Sequence, residues 1–124
     1  MESATDLDRL ATGLQGLGHP IRVQALVLLE FESTPRELAE VIGEPLGVVS
    51  YHVRMLAQYE LVELVRTEPR RGALSHFYQR TELATELLGK LNGMLDIPKR
   101  AKGRQGSARR DVLTHWVART RIAA

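Results

Sequence analysis

Tyr51, Arg54 and Gln58 recur at intervals of three and four residues in the segment VVSYHVRMLAQ. At 100° per residue they share one helix face with Gly47, and Ser50 lies on its flank. Val49, Val53 and Leu56 fall on the opposite face. One side of such a helix is built to pack, while the other offers hydroxyl, phenol, guanidinium and amide groups. These groups hydrogen-bond to base edges and phosphate oxygens, and Arg54 suits either a fork onto guanine or a phosphate. A second cationic feature is the pair Arg70 and Arg71, set between Pro69 and Gly72. Two guanidiniums at a turn suit a narrow minor groove, where negative potential concentrates. The partner implied by this chemistry is double-stranded DNA.

Other chemistries find little support in the chain. It has 124 residues and no cysteine, which removes disulfides, thiolate metal sites and cysteine nucleophiles. There is no H-E-x-x-H, no glycine-rich phosphate loop and no serine-histidine-acid arrangement, so no catalytic residue is assigned and the chain is read as a non-enzyme. No cofactor and no metal ligand set is assigned. Asp111 and His115 stand four apart, and with His76 or His19 they form the one weak constellation suited to zinc or nickel. Asp111 as a helix N-cap is the simpler reading. His52, between the packed and polar faces, is read as a packing residue with one hydrogen bond. Arg22 is read as an ion pair with Glu37 or Glu40, or as a phosphate contact. No apolar run approaches the roughly 20 residues of a membrane span, and the start MESATDLDRL is acidic, so no membrane partner and a cytoplasmic location are expected.

The formal net charge is only +2, but its distribution is uneven. Lys99, Arg100, Lys102, Arg104, Arg109 and Arg110 follow one another with no acid between them, and Arg66 joins Arg70 and Arg71 in a second cluster. Clustered positive charge points to a polyanion. The run within 98–110 suits a DNA-clamping arm, a solvated linker or a contact with an acidic partner.

The elements that must hold these residues follow from periodicity. Leu7, Leu10, Leu14 and Leu17 predict a helix over 6–17, stopped at Gly18. Pro20 restarts a helix with Ile21, Ala25, Leu28 and Leu29 inward. Thr34-Pro35-Arg36-Glu37 has capping-box spacing, and Gly43 is placed to end that short helix in a left-handed cap. The helix over 46–59 follows, completing a helix-turn-helix. The period then changes to 2 in LVELVRT and ALSHFYQRT, with Pro69 and Gly72 as turn formers of a hairpin, or wing. Thr81 caps a further helix with Ala84, Leu87, Leu88, Leu91, Met94 and Leu95, and Pro98 ends it. Val112, Leu113, Trp116 and Val117 restore helical spacing near the C-terminus.

Taken together, the segments LGHPIRVQALVLL, TPRELAEVIG, VVSYHVRMLAQYELVELV and RRGALSHFYQRT resemble the ArsR-type winged-helix regulators of bacteria and archaea. The resemblance spans about 17–81, and its most specific part is Val49-Ser50-x-His52-Val53-x-x-Leu56 followed by Leu61-Val62. It implies a homodimeric transcriptional regulator, usually a repressor, whose terminal helices make the dimer. Two departures stand out. The cysteine pairs of the family's metal sensors are absent, and Glu60 replaces the glycine usual before Leu-Val.

The expected fold is mainly α: a winged helix-turn-helix with added N- and C-terminal helices. Residues 1–97 are read as the DNA-binding and dimerisation domain, 98–110 as a flexible basic linker, and 111–124 as an amphipathic helix. Candidate DNA contacts are Ser50, Tyr51, Arg54, Gln58, Arg70 and Arg71. Candidate dimer contacts are Leu7, Leu10, Leu14, Leu87, Leu91 and Trp116. The sequence singles out no small-molecule or metal effector. The rival readings are a winged-helix protein-interaction module and a cysteine-free metal-responsive regulator using His and Asp.

Overall fold

The computed structural model describes residues 13–98 and 107–120. Leu7, Leu10 and the basic residues Lys99, Arg100, Lys102 and Arg104 lie outside them. A helical turn at 13–16 leads into α1 (Pro20–Leu28), α2 (Pro35–Ile42) and α3 (Leu46–Gln58). The hairpin β1 (Val62–Arg70) and β2 (Ala73–Arg80) comes next, then α4 (Glu82–Leu95) and α5 (Ser107–Arg119). This is the expected mainly α winged helix-turn-helix. Among the described residues no helix is long and apolar enough to cross a membrane.

Local chemistry sets the ends of these elements. At α2 the Glu37 N–H donates to Thr34 Oγ1 at 3.2 Å, and the Thr34 N–H donates back to Glu37 Oε1 at 3.0 Å. Two otherwise orphaned donors are thereby satisfied. Gly43 closes the helix at φ 82°, a conformation that costs glycine nothing. Helix α1 is capped by His19, whose Nδ1 accepts from the Ile21 N–H at 3.1 Å. At the end of α3 the Leu61 N–H donates to Leu56 O at 2.9 Å, and the Glu60 N–H to Ala57 O at 3.0 Å. This is a Schellman closure, and it holds Glu60 at φ 60° where glycine would be unstrained.

The core gathers Leu26 and Leu29 of α1, Leu38 and Ile42 of α2, Val49, Val53 and Leu56 of α3, and Leu87 of α4. The turn at 13–16 comes so close that a Cβ on Gly13 would lie 2.6 Å from Leu87 Cδ1. Its glycines are therefore a packing face. Leu14, pointing away from it, is 51% exposed.

The hairpin departs from the expected alternation. Its strands pair in register from Val62↔Arg80 to Arg70↔Ala73, with a bulge between Leu64 and Arg66. Pro69 lies inside β1 opposite Leu74, so it is not a turn former. The turn is Arg71-Gly72, at φ 46° and 79°, as a type I′ hairpin requires. Only Val62 and Phe77 of the two strands are buried. The distal half projects from the body as a wing, so neither of its faces needs to be apolar. Its base is tied down by backbone bonds between Ser33 and Tyr78 and by the Arg80 N–H donating to Leu29 O.

The C-terminal helix starts at Ser107, inside the stretch expected to be linker, and Asp111 is an interior, exposed residue of it rather than its cap. Leu113, Trp116 and Val117 are buried against the chain's own core. The Trp116 indole N–H donates to Leu95 O at 3.1 Å, and Arg109 forks onto Glu30 at 2.9 and 3.0 Å. Helix α5 is thus stapled to α1 and α4.

Replacing Glu60 by glycine should raise unfolding stability by about 1 kcal/mol, since the left-handed conformation penalises a Cβ by that amount. Urea unfolding of the two proteins checks this; equal or lower stability in the variant contradicts it.

Candidate nucleic-acid interface

Helix α3 presents the face its sequence promised. Val49, Val53 and Leu56 are buried, whereas Gly47, Tyr51, Arg54 and Gln58 are exposed and Ser50 is half-buried. Around Gly47 nothing lies within 4 Å of a built Cβ, so a large surface can approach the backbone there.

Between α3, the start of α2 and the wing runs a groove of about 860 Å³. Ser50 and Arg54 line it from α3, Arg70 and Arg71 from the wing tip, and Arg36 from α2. The structure therefore brings four of the six expected contact residues to one concavity. Tyr51 and Gln58 are exposed but do not line it. Leu46, Leu74, Ser75 and His76 line it without having been singled out. The signal for Leu74 and His76 was their shared strand face, which turns to the groove instead of the core.

The pairing of the arginines distinguishes this groove from the rest of the molecule. Arg66 donates to Glu32 at 2.6 Å and Glu68 at 2.7 Å, and its guanidinium sits 3.7 Å from the Phe77 ring centroid. Its hydrogen bond to Glu68, with a smaller contribution from the charge of Arg70, holds the Glu68 carboxyl below its usual value, and Arg66 does not line the groove with Arg70 and Arg71. Arg80 and Arg109 share the nearly buried Glu30 carboxylate, and Arg110 stacks over Phe31 at 5.0 Å. Two of the six cations of the expected basic arm, Arg109 and Arg110, are thus occupied in holding α5. By contrast, Arg36, Arg54, Arg70 and Arg71 make no hydrogen bond or ion pair among the described residues. Glu37 and Glu40 line the same groove, so four cations against two carboxylates leave it with an excess of positive charge on a concave surface.

Arg22 meets neither Glu37 nor Glu40. Its Nε donates to His52 Nδ1 at 3.1 Å, and its Nη1 to Gly16 O at 3.5 Å. The acceptor that α3 offers this guanidinium is an imidazole, while Glu37 is engaged in the cap of α2. His52 is buried with this single hydrogen bond, and burial, followed by the charges of His19 and Arg22, holds its pKa below the usual imidazole value.

Of the expected dimer residues, Leu14 is exposed and Leu91 half-buried. Leu87 is 1% exposed and Trp116 4%, so both spend their surface inside the single chain. The Asp111, His115, His76 and His19 constellation does not assemble: among the described residues no group of three or more His, Cys, Asp or Glu is placed to hold a metal ion.

No family model matches the chain, and no curated protein does. Solved structures do. The homodimeric winged helix-turn-helix DNA-binding domain of a possible ArsR-family transcriptional regulator from Mycobacterium bovis is similar at a TM-score of 0.61 and 23% identity, covering 86% of this chain and 98% of that one. The transcriptional repressor BigR from Xylella fastidiosa is similar at 0.56 and 27% identity, covering 78% of this chain and 94% of that one. The chain has the winged helix-turn-helix fold, and its structural neighbours include an ArsR-family domain and a repressor, in line with the resemblance carried by its sequence.

Proposed function

We propose that this protein is a transcriptional regulator that binds duplex DNA sequence-specifically as a homodimer, in the manner of an ArsR-type repressor in the cytoplasm. The observation that carries this reading is the convergence of Arg36, Arg54, Arg70 and Arg71, all without ion pairs among the described residues, on the groove between α3 and the wing. The neighbours with the same fold include a DNA-binding domain and a repressor, which supports it.

In this reading the exposed face of α3 enters the major groove, where its N-terminal half meets base edges. Ser50 and Tyr51 contact bases or the sugar-phosphate, Arg54 a phosphate or guanine, and Gln58 the backbone further along. Arg70 and Arg71 reach the adjacent minor groove from a turn whose rigid type I′ geometry aims them. No step is catalytic: occupancy of a promoter blocks transcription. The DNA-binding and dimerisation unit is 1–97, and α5 reinforces it from behind.

The dimer face is assigned to Leu14 and Leu91, with Leu7 and Leu10 on Leu14's helical stripe by sequence spacing. The exposure of Leu14 costs solvation that a second copy recovers. Leu87 and Trp116 do not contribute, being covered already.

A protein-interaction role has one observation in its favour. Leu46, Val48 and Tyr51 are exposed on the first half of α3 and offer apolar anchors. Salt dependence separates the two, because phosphate neutralisation releases counterions and apolar docking does not.

Changing Arg70 and Arg71 together to alanine should lower the slope of log affinity against log salt by about 2 for duplex DNA, while Arg66→Ala leaves it nearly unchanged. An unaltered slope in the double variant overturns the wing contact. Leu14→Asp should give a monomer in sedimentation, with the fold retained by circular dichroism; a persistent dimer places the interface elsewhere.

A further inference from the structure

Behind the polar face of α3 sits a cluster of three nitrogenous side chains. The His19 and His52 rings stack with centroids 4.2 Å apart and planes 33° from parallel. His52 Nδ1 accepts from Arg22 Nε, and His19 Nδ1 accepts from the Ile21 N–H that begins α1. Both imidazoles are therefore used as acceptors at Nδ1, and for His52 that bond to the Arg22 guanidinium requires a neutral ring. On its own helix His52 also meets Tyr51, edge-on at 5.2 Å. The α2 carboxylates Glu37 and Glu40 line the groove with Val53 and Arg54. The charges that act on His52 are those of His19 and Arg22, and both oppose a proton.

We propose that this His19–His52–Arg22 cluster makes DNA binding pH-sensitive, with Arg22 and His52 acting as positioning residues that hold α3 against α1 only while the His52 imidazole is neutral. The proposal rests on the DNA-binding reading given above. A proton on His52 Nδ1 sets a donor against the Arg22 Nε donor, 3.1 Å away. That proton also adds a second charge beside a guanidinium. The contact that breaks joins α1 to the middle of α3, between Ser50 and Arg54.

The sign is opposite to that of simple electrostatics. A folded state that prefers the neutral imidazole loses stability as pH falls below the ordinary histidine value, and keeps it above. Added positive charge alone would instead strengthen DNA binding as pH falls.

The test measures affinity at fixed salt from about pH 7.5 to about pH 5.5. The probe is a duplex selected from a random pool, or the unselected pool itself. The wild-type protein should weaken on acidification by up to about tenfold per pH unit, the slope of one excluded proton. His52→Gln keeps an acceptor for Arg22 but cannot titrate, so it should match the wild type at the upper pH and stay nearly flat below. Wild-type affinity that is constant or rises on acidification overturns the proposal, as does an unchanged profile in His52→Gln. Failure to bind any duplex even at the upper pH refutes the DNA reading instead. The cluster is then judged by urea unfolding without DNA: stability should fall on acidification in the wild type and not in His52→Gln, and parallel falls overturn it.

Discussion

What faces outward on α3 is fixed by Val49, Val53 and Leu56, which are at most 1% exposed and lock its inner side into the core. Rotating the helix by one residue would bring a valine to water and drive Arg54 or Tyr51 inward. Truncating one such leucine costs about 2–5 kcal/mol in a well-packed core, a large share of a small domain's stability. Burying an unpaired guanidinium costs more. The functional face is thus held by packing on the other side of the same helix, and the Arg22–His52 bond adds a directional restraint at mid-helix. The wing is then placed by the chain leaving α3 through the Glu60 turn and by the anchoring of β2 at Ser33 and Leu29.

Charge pairing does the remaining sorting. The chain carries 17 Lys and Arg against 15 Asp and Glu, so net charge alone says little about a polyanion. Three of the acids sit where cations are structural: Glu30 holds Arg80 and Arg109, while Glu32 and Glu68 hold Arg66. The Glu30 cluster is shielded from solvent and fastens α5 to the body of the domain. The Arg66 pairs are exposed, and such pairs add little stability. Their consequence is to leave the positive field concentrated at the groove.

Much of this was legible in the sequence because the signals were local. The Thr34 capping box, the Gly43 cap, the apolar stripe of α3 and the change of period at the hairpin each depend on residues within one turn or strand. The exact turn was not legible. Proline suggested a reversal at Pro69, but an exposed strand tolerates proline, and Gly72 with Arg71 satisfies the tighter geometry. Long-range partners were also hidden. Nothing in the order of residues announces that Arg22 finds His52, or that Arg109 finds Glu30 across 79 positions. The same limit applies to Leu87 and Trp116, whose apolar character fits a core and a subunit face equally well. For the site, types and spacing picked out Ser50, Arg54, Arg70 and Arg71, whereas the groove that unites them depends on the wing's path through space.

The measurement that bears most directly on the DNA-binding reading is selection of bound duplexes from a random pool, sequenced after recovery at near-physiological salt. Two-fold symmetric enrichment, with half-sites about one helical turn apart, is the predicted result for a dimer that presents two copies of α3. A pool that emerges without any enriched motif, its retention collapsing as salt rises, would contradict sequence-specific recognition by this groove.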